Sequence, residues 1–188
     1  MLTLIGLSGS LRHGSFNSAV LRAAAALMPA ESRLCIETIA GIPLYDGDAE
    51  SAAGIPPAVA RLKDAIADAE GLLLVSPEYN NSIPGVTKNA IDWLSRPPAD
   101  IARVFGGKPV ALAGASPGNF ATVLAQNAWL PVFRTLGADL WSGGRLHLPR
   151  AASIIGADGE VSDAETRERI AKFVGGFVGY VRSRRRKP

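Results

Sequence analysis

Cysteine is almost missing from this chain of 188 residues: Cys35 stands alone, so no internal disulfide can form. Histidine is nearly as scarce, with only His13 and His147, and the two residue types together leave no set for a Cys/His metal centre. No apolar run approaches the roughly 20 residues that a membrane span needs. The first residues enter a strand-like "LTLIGL" at once, without a basic segment or a small-residue cleavage site, so no signal peptide and a cytoplasmic setting are expected. Repeats, low-complexity blocks and interdomain linkers are also lacking. No basic segment is interleaved with aromatics, which argues against a nucleic-acid surface.

What charge there is sits unevenly. Arg182, Arg184, Arg185, Arg186 and Lys187 supply five of the 20 Lys and Arg, leaving fifteen against 17 Asp and Glu in a nearly neutral body. Residues 182–188 therefore read as a basic C-terminal tail, solvated and suited to the negative end of a helix dipole, following one domain over residues 1–181. An apolar fraction of 47% with 20% charged residues is ordinary globular composition, and the length suits a single α/β domain.

Apolar runs alternate with helical patterns, as a parallel sheet requires. Expected strands are 2–7, 33–39, 71–76, 109–115 and a weaker one near 145–148; expected helices are 17–28, 57–69, 84–94, 120–136 and 163–182. "LLLV" and "VALAG" are continuously apolar, as strands buried on both faces should be. The pattern is that of a doubly wound three-layer sandwich, whose ligands bind beyond the carboxyl ends of the strands. "GIPLYDGDAESAAGIPP" is the longest irregular stretch.

The first strand runs into "GLSGSLRHGSFNSAVLRAA". From Gly9 the glycine spacing is that of a P-loop, but Ser15 and Phe16 stand where that loop needs lysine and a magnesium-binding hydroxyl. Gly6, Gly9 and Gly14 also miss the dinucleotide fingerprint spacing. What remains is Ser8, Ser10 and Ser15, the planar cation of Arg12, and a helix start near Asn17, where free N–H groups and the dipole favour an anion. This suits a monophosphate ester held without metal; a hydroxyl-rich turn that binds nothing has the same composition. His13 lies in the same loop, facing either the anion or solvent.

After the third strand, "SPEYNNSIPGVTKNAIDWL" places Glu78, Tyr79, Asn80, Asn81 and Ser82 between stiffening prolines. After the fourth, "GASPGNF" offers Gly114, Gly118 and Ser116. Each is also readable as a capping turn. Together at one sheet edge they fit a phosphate attached to a planar heterocycle, a description that FMN meets.

"GSLRHGSFN" followed by "PEYNNSIPGVTKNAIDW", with "IPLYDGD", resembles the NADPH-dependent FMN reductase family, in its branch of bacterial quinone and chromate reductases. The resemblance implies a flavodoxin-like three-layer α/β/α sandwich with a five-stranded parallel sheet. It implies FMN with its phosphate among Ser8, Ser10, Arg12, Ser15, Phe16 and Asn17. Pro77, Glu78, Tyr79 and Asn80 would run along the ring, and Ser116 and Gly118 would close its other edge. No metal and no catalytic side chain are called for, because NAD(P)H as co-substrate reduces the flavin and a small-molecule electron acceptor (quinone, free flavin, azo dye or metal oxyanion) then takes the electrons. Backbone amides of residues 78–80 would face the polar ring edge, the Glu78 carboxylate would turn away and anchor the loop, and Tyr79 would pack near the ring. The chain departs from the family at Ala121, Thr122, Val123 and Leu124, where relatives carry a glycine pair and an arginine of the tetramer contact, and at Asn81, where an aromatic is common.

The apolar face Val123, Leu124, Leu130 and Phe133 suggests a homodimer or homotetramer surface, with core burial the alternative for each residue. Trp93 and Trp129 suit packing or subunit contact better than a substrate cage, and His147 and Cys35 read as packing residues. An electron-carrier flavodoxin or a non-catalytic FMN-binding or flavin-free protein on the same fold stay open; the former is usually strongly acidic, unlike this chain.

Overall fold

The computed structural model describes residues 1–185. In chain order the elements are β1 (Leu2–Ser8), α1 (Phe16–Ala26), β2 (Ser32–Glu37), α2 (Gly47–Ala53), α3 (Pro57–Asp68), β3 (Gly71–Val75), α4 (Gly85–Leu94), α5 (Ile101–Val104), β4 (Pro109–Ala115), α6 (Val123–Thr135), β5 (Asp139–Leu140), β6 (Leu146–Leu148) and α7 (Ala164–Arg185). Strand order is β2-β1-β3-β4-β5 with every pairing parallel, and β6 also pairs with β4. The order reverses between β1 and β3, which opens a crevice there at the carboxyl edge.

Two apolar layers flank the sheet. On one side Val20, Leu21 and Ala24 of α1 meet Phe173, Phe177 and Val178 of α7 over the faces of β1 and β4. On the other, Leu62 and Ile66 of α3, Trp93 of α4, and Trp129 and Phe133 of α6 cover Leu72, Leu74 and Val110. Trp93, Trp129 and Phe133 are at most 1% exposed, so they belong to the core, and Phe133 is no part of a free surface on α6. Burying a side chain of this size contributes about 1.5–3 kcal/mol.

Three sequence expectations change. The single fifth strand is two short ones: β5 pairs with Pro109 and Val110 at the start of β4, and β6 with Ala113–Ala115 at its end. The chain leaves the sheet between them because Trp141 turns onto Phe173 and Phe177 of α7, with ring centroids 5.1 and 5.5 Å away. The irregular stretch after β2 contains α2, capped by Asp46, whose side chain accepts the Asp48 N–H at 2.9 Å. Finally, α7 continues through the basic segment. Arg182 donates to the Ala30 carbonyl at 3.0 Å, Arg184 pairs with Asp139 at 2.7 Å, and Arg185 pairs with Glu70. The remaining tail residues, 186–188, lie outside the described residues.

Candidate flavin site

The first loop ends at a helix N-terminus, where backbone donors and the dipole suit an anion. Ser15 caps α1, its hydroxyl accepting the Ser18 N–H at 3.3 Å, and Phe16 is the first helical residue. The Ser15 N–H closes a turn onto the Arg12 carbonyl at 3.1 Å, and the Arg12 guanidinium lies over the Phe16 ring, 5.4 Å from its centroid. Ser10 accepts the Arg12 N–H at 3.3 Å, and Ser8 accepts from the Ser18 hydroxyl at 2.9 Å. The backbone amides of Ser10, Leu11, Phe16 and Asn17 have no partner among the described residues. Those amides, the hydroxyl of half-buried Ser10 and the nearby cation fit a phosphate at a helix N-terminus.

Asn17 does a different job from the one its place in the motif suggests. Its buried side chain reaches β4, the amide donating to the Ala115 carbonyl at 3.0 Å and the Oδ1 accepting the Ala115 N–H at 2.9 Å. Only its backbone N–H is left for an anion.

The second loop is a tight hairpin. Tyr79 and Ser82 exchange backbone hydrogen bonds, both 3.0 Å, around Asn80 and Asn81, whose φ angles are 50° and 61°. A two-residue turn with both central residues at positive φ is where asparagine is favoured, which accounts for the Asn pair. The Tyr79 N–H is spent inside the hairpin, so of the three amides expected at the ring only those of Glu78 and Asn80 are free among the described residues. Pro77 is buried beside Gly9, where an added Cβ would lie 3.0 Å from the proline Cδ. Tyr79 is exposed. The Glu78 carboxylate turns away from the loop and accepts the Ala125 N–H at 2.9 Å.

The third loop is fixed from the far side. Ser116 donates its N–H to the Leu148 carbonyl at 3.1 Å and accepts that of Ala151 at 3.0 Å, while the Gly118 carbonyl accepts the Arg150 N–H at 3.1 Å. Ala121 adopts φ of 53°, a glycine-like conformation. Where the resemblance implies glycine, this chain's alanine sits in backbone that favours glycine.

The loops are tied together by Thr87 and Asn89, to which the sequence reading gave no role, and by Trp129 and Trp93, which it read as packing or contact residues. Thr87, buried in the first turn of α4, donates its hydroxyl to the Gly9 carbonyl at 2.8 Å, and the Gly9 N–H reaches the Val75 carbonyl at 2.8 Å. Trp129 donates its indole N–H to the Ser76 hydroxyl at 3.0 Å. The loop after β2 is clamped to α4: Asn89 accepts the Tyr45 N–H at 2.8 Å, and Asn89 and Trp93 both donate to the Pro43 carbonyl. Arg96 donates to Glu50 at 2.8 Å and the Tyr45 hydroxyl adds a bond at 3.0 Å; this donation, from Arg96 first, holds Glu50 below the usual carboxylate range. Asn89 and Trp93, four apart in "TKNAIDW", share one helix face toward the loop after β2, while Thr87 points from another face to Gly9, an arrangement legible only once the helix is placed.

The sequence profile of the NADPH-dependent FMN reductase family matches residues 2–152. The chain belongs to that family. Among curated relatives of this FMN reductase, an NAD(P)H-dependent FMN reductase of Pseudomonas aeruginosa is 40% identical over 181 residues, 96% of each chain. A 2-hydroxy-1,4-benzoquinone reductase of a Burkholderia species is 40% identical over 177 residues, 94% of each. Among solved structures, the flavoenzyme FerB of Paracoccus denitrificans, an NAD(P)H:acceptor oxidoreductase, superposes with a TM-score of 0.86 at 33% identity, covering 97% of this chain and 98% of its own. Like its family, the chain is an FMN-dependent NAD(P)H oxidoreductase with a flavodoxin-like fold.

Proposed function

We propose that the chain passes electrons from NAD(P)H to a quinone, with FMN seated across the β1/β3 crevice. The observation that carries this reading is the cluster of unpaired amides at the start of α1, facing a rigid hairpin and a braced third loop on neighbouring strands. In this reading Ser8, Ser10, Arg12, Ser15, Phe16 and Asn17 form the phosphate end, Asn17 through its backbone and the hydroxyls as donors. Pro77, Tyr79 and Asn80 flank the ring, with the free amides of Glu78 and Asn80 stabilising negative charge at its polar edge. Glu78 keeps its carboxylate off that edge by bonding to α6, and Ser116 and Gly118 bound the opposite side. Bound there, FMN supplies the two-electron redox chemistry, and the chain's own residues hold, orient and screen it.

The quinone reading draws on the printed activities of the relatives. Exposed Leu44, Tyr79, Val86, Phe120 and Leu124 lie on loops and first turns at the carboxyl edge, and a second copy of the chain would cover them, giving a homodimer that also shields the flavin. We assign the protein to the cytoplasm on its single thiol; among the described residues no helix is long and apolar enough to cross a membrane.

Steady-state rates of NADPH oxidation with 1,4-benzoquinone and added FMN test the reading. Parallel double-reciprocal lines, the signature of two substrates using one site in turn, are expected. No quinone-dependent oxidation above the protein-free rate would overturn the acceptor assignment.

A further inference from the structure

A cleft of about 400 Å³ opens between α6 and the Trp141–Arg145 excursion of the fifth strand position, away from the three flavin loops. Its walls include Val123 and Leu130 of α6 with Leu140 and Trp141. Gln126, Asn127 and Ser142 add polar groups to the lining, and two of its residues, Arg145 and His147, carry nitrogen bases. Arg145 is exposed and has no carboxylate within ion-pair distance among the described residues. His147 projects from β6 on the face opposite to buried Leu146 and Leu148, and so toward α6 rather than α7.

The imidazole is the odd member of this wall. Its Nδ1 is the one buried side-chain nitrogen or oxygen among the described residues with no hydrogen-bond partner. Burial, with Arg145 and Arg169 nearby, lowers its pKa and keeps the ring neutral at pH 7. Buried N–H groups without an acceptor are rarer than bare acceptors, so the tautomer that leaves Nδ1 bare and protonates Nε2 is favoured. Nε2 is not sealed off as Nδ1 is, so its proton is available to the cleft. A core position would carry an apolar residue here, whereas a donor beside an unpaired guanidinium matches a carboxylate.

We propose that this cleft binds a small aromatic carboxylate, its ring against Val123, Leu130 and Leu140 and its carboxylate held by Arg145 and the His147 Nε2–H. The charge fits the guanidinium, and the flat apolar body fits the aliphatic wall. The site is separate from the flavin loops yet mechanically joined to them: His147 is in register with Gly114, and the adjacent Leu148 carbonyl holds Ser116. It stands whether or not the quinone assignment holds.

Titration calorimetry of the FMN-saturated protein with 2-naphthoate tests this, with light scattering recorded alongside. One site per chain is expected, weakened about tenfold or more in Arg145→Ala, the loss of one charge-assisted hydrogen bond, and abolished in Leu130→Trp, which fills the cleft from a half-exposed position. Both variants should keep FMN and NADPH oxidation. The proposal is overturned by absence of binding, by equal binding in Arg145→Ala, by displacement of naphthoate with NADPH, or by binding that appears only when subunits dissociate, which would make the cleft a subunit contact.

Discussion

Glu78 and Ala125 join the loop after β3 to helix α6 through a single hydrogen bond, the carboxylate accepting the Ala125 N–H at 2.9 Å. Ala125 is in the first turn of α6, where backbone donors lack helical partners, and the expected cap is occupied: Thr122 makes no capping bond and its hydroxyl instead accepts from Gln126 at 3.0 Å. Glu78 therefore caps α6 from across the site, and the negative charge suits the helix dipole. The hairpin cannot shift without uncapping the helix.

Glu78→Ala should fold but bind FMN about tenfold more weakly, because the hairpin loses its tie to α6; Glu78→Gln, which keeps an acceptor, should recover most of the affinity. Flavin fluorescence titration of the two variants checks this. Equal affinity in wild type and Glu78→Ala would refute it.

Asn17→Ala strands both the N–H and the carbonyl of Ala115 in the interior, and should cost about 2–4 kcal/mol of stability. Asn17→Asp should do little better, since it restores the acceptor but sets an anion against the Ala115 carbonyl. Urea unfolding midpoints, read in the absence of FMN, separate this framework loss from any loss of phosphate contact.

At Gly114 an added Cβ would fall 2.1 Å from the Thr122 hydroxyl and 2.3 Å from the Ser76 carbonyl oxygen. Backbone would have to move at the junction of the second and third loops. Gly114→Ala should destabilise the fold by about 3 kcal/mol, at the upper end of overpacking costs, and lower the thermal midpoint measurably.

Acid should release the loop after β2. Glu50 is held below its ordinary value of 4.5, mainly by the Arg96 hydrogen bond and next by that from Tyr45. As pH falls the unfolded chain takes up this proton first, so the contribution is present above about 4.5 and is lost as pH drops through the lower folded value. Glu50→Gln should therefore be less stable than wild type at neutral pH, with the gap in urea midpoint narrowing as pH falls below about 4.5. A constant gap would show that the carboxylate's charge contributes nothing.

Much of this architecture is legible in the chain. Continuous apolar runs marked β3 and β4, and the first loop was read as a phosphate seat from what its glycines lacked. The split of the fifth strand was not legible, because its cause is tertiary: Trp141 leaves the sheet to lie against Gly143, Gly144 and Gly176, where an added Cβ would come within 2.5–3.0 Å of the indole. Helix α2 escaped because none of its seven residues is buried, which leaves no apolar stripe to read. At the site, residue types were visible but their aim was not. The Asn17 side chain clamps α1 to β4 and leaves the backbone N–H for the phosphate the motif suggests, and Phe133 continued an apolar face that in fact divides between core and surface. Thr87 gave no signal until α4 was placed against Gly9.

The central claim is that the three loops hold FMN for reduction by a pyridine nucleotide. Its most direct test is the absorption spectrum of protein loaded with FMN, desalted and then mixed with NADPH without oxygen. Retained flavin bands that bleach on mixing are predicted. Protein that shows no affinity for FMN by titration, or bound flavin that NADPH leaves unbleached, would contradict the account.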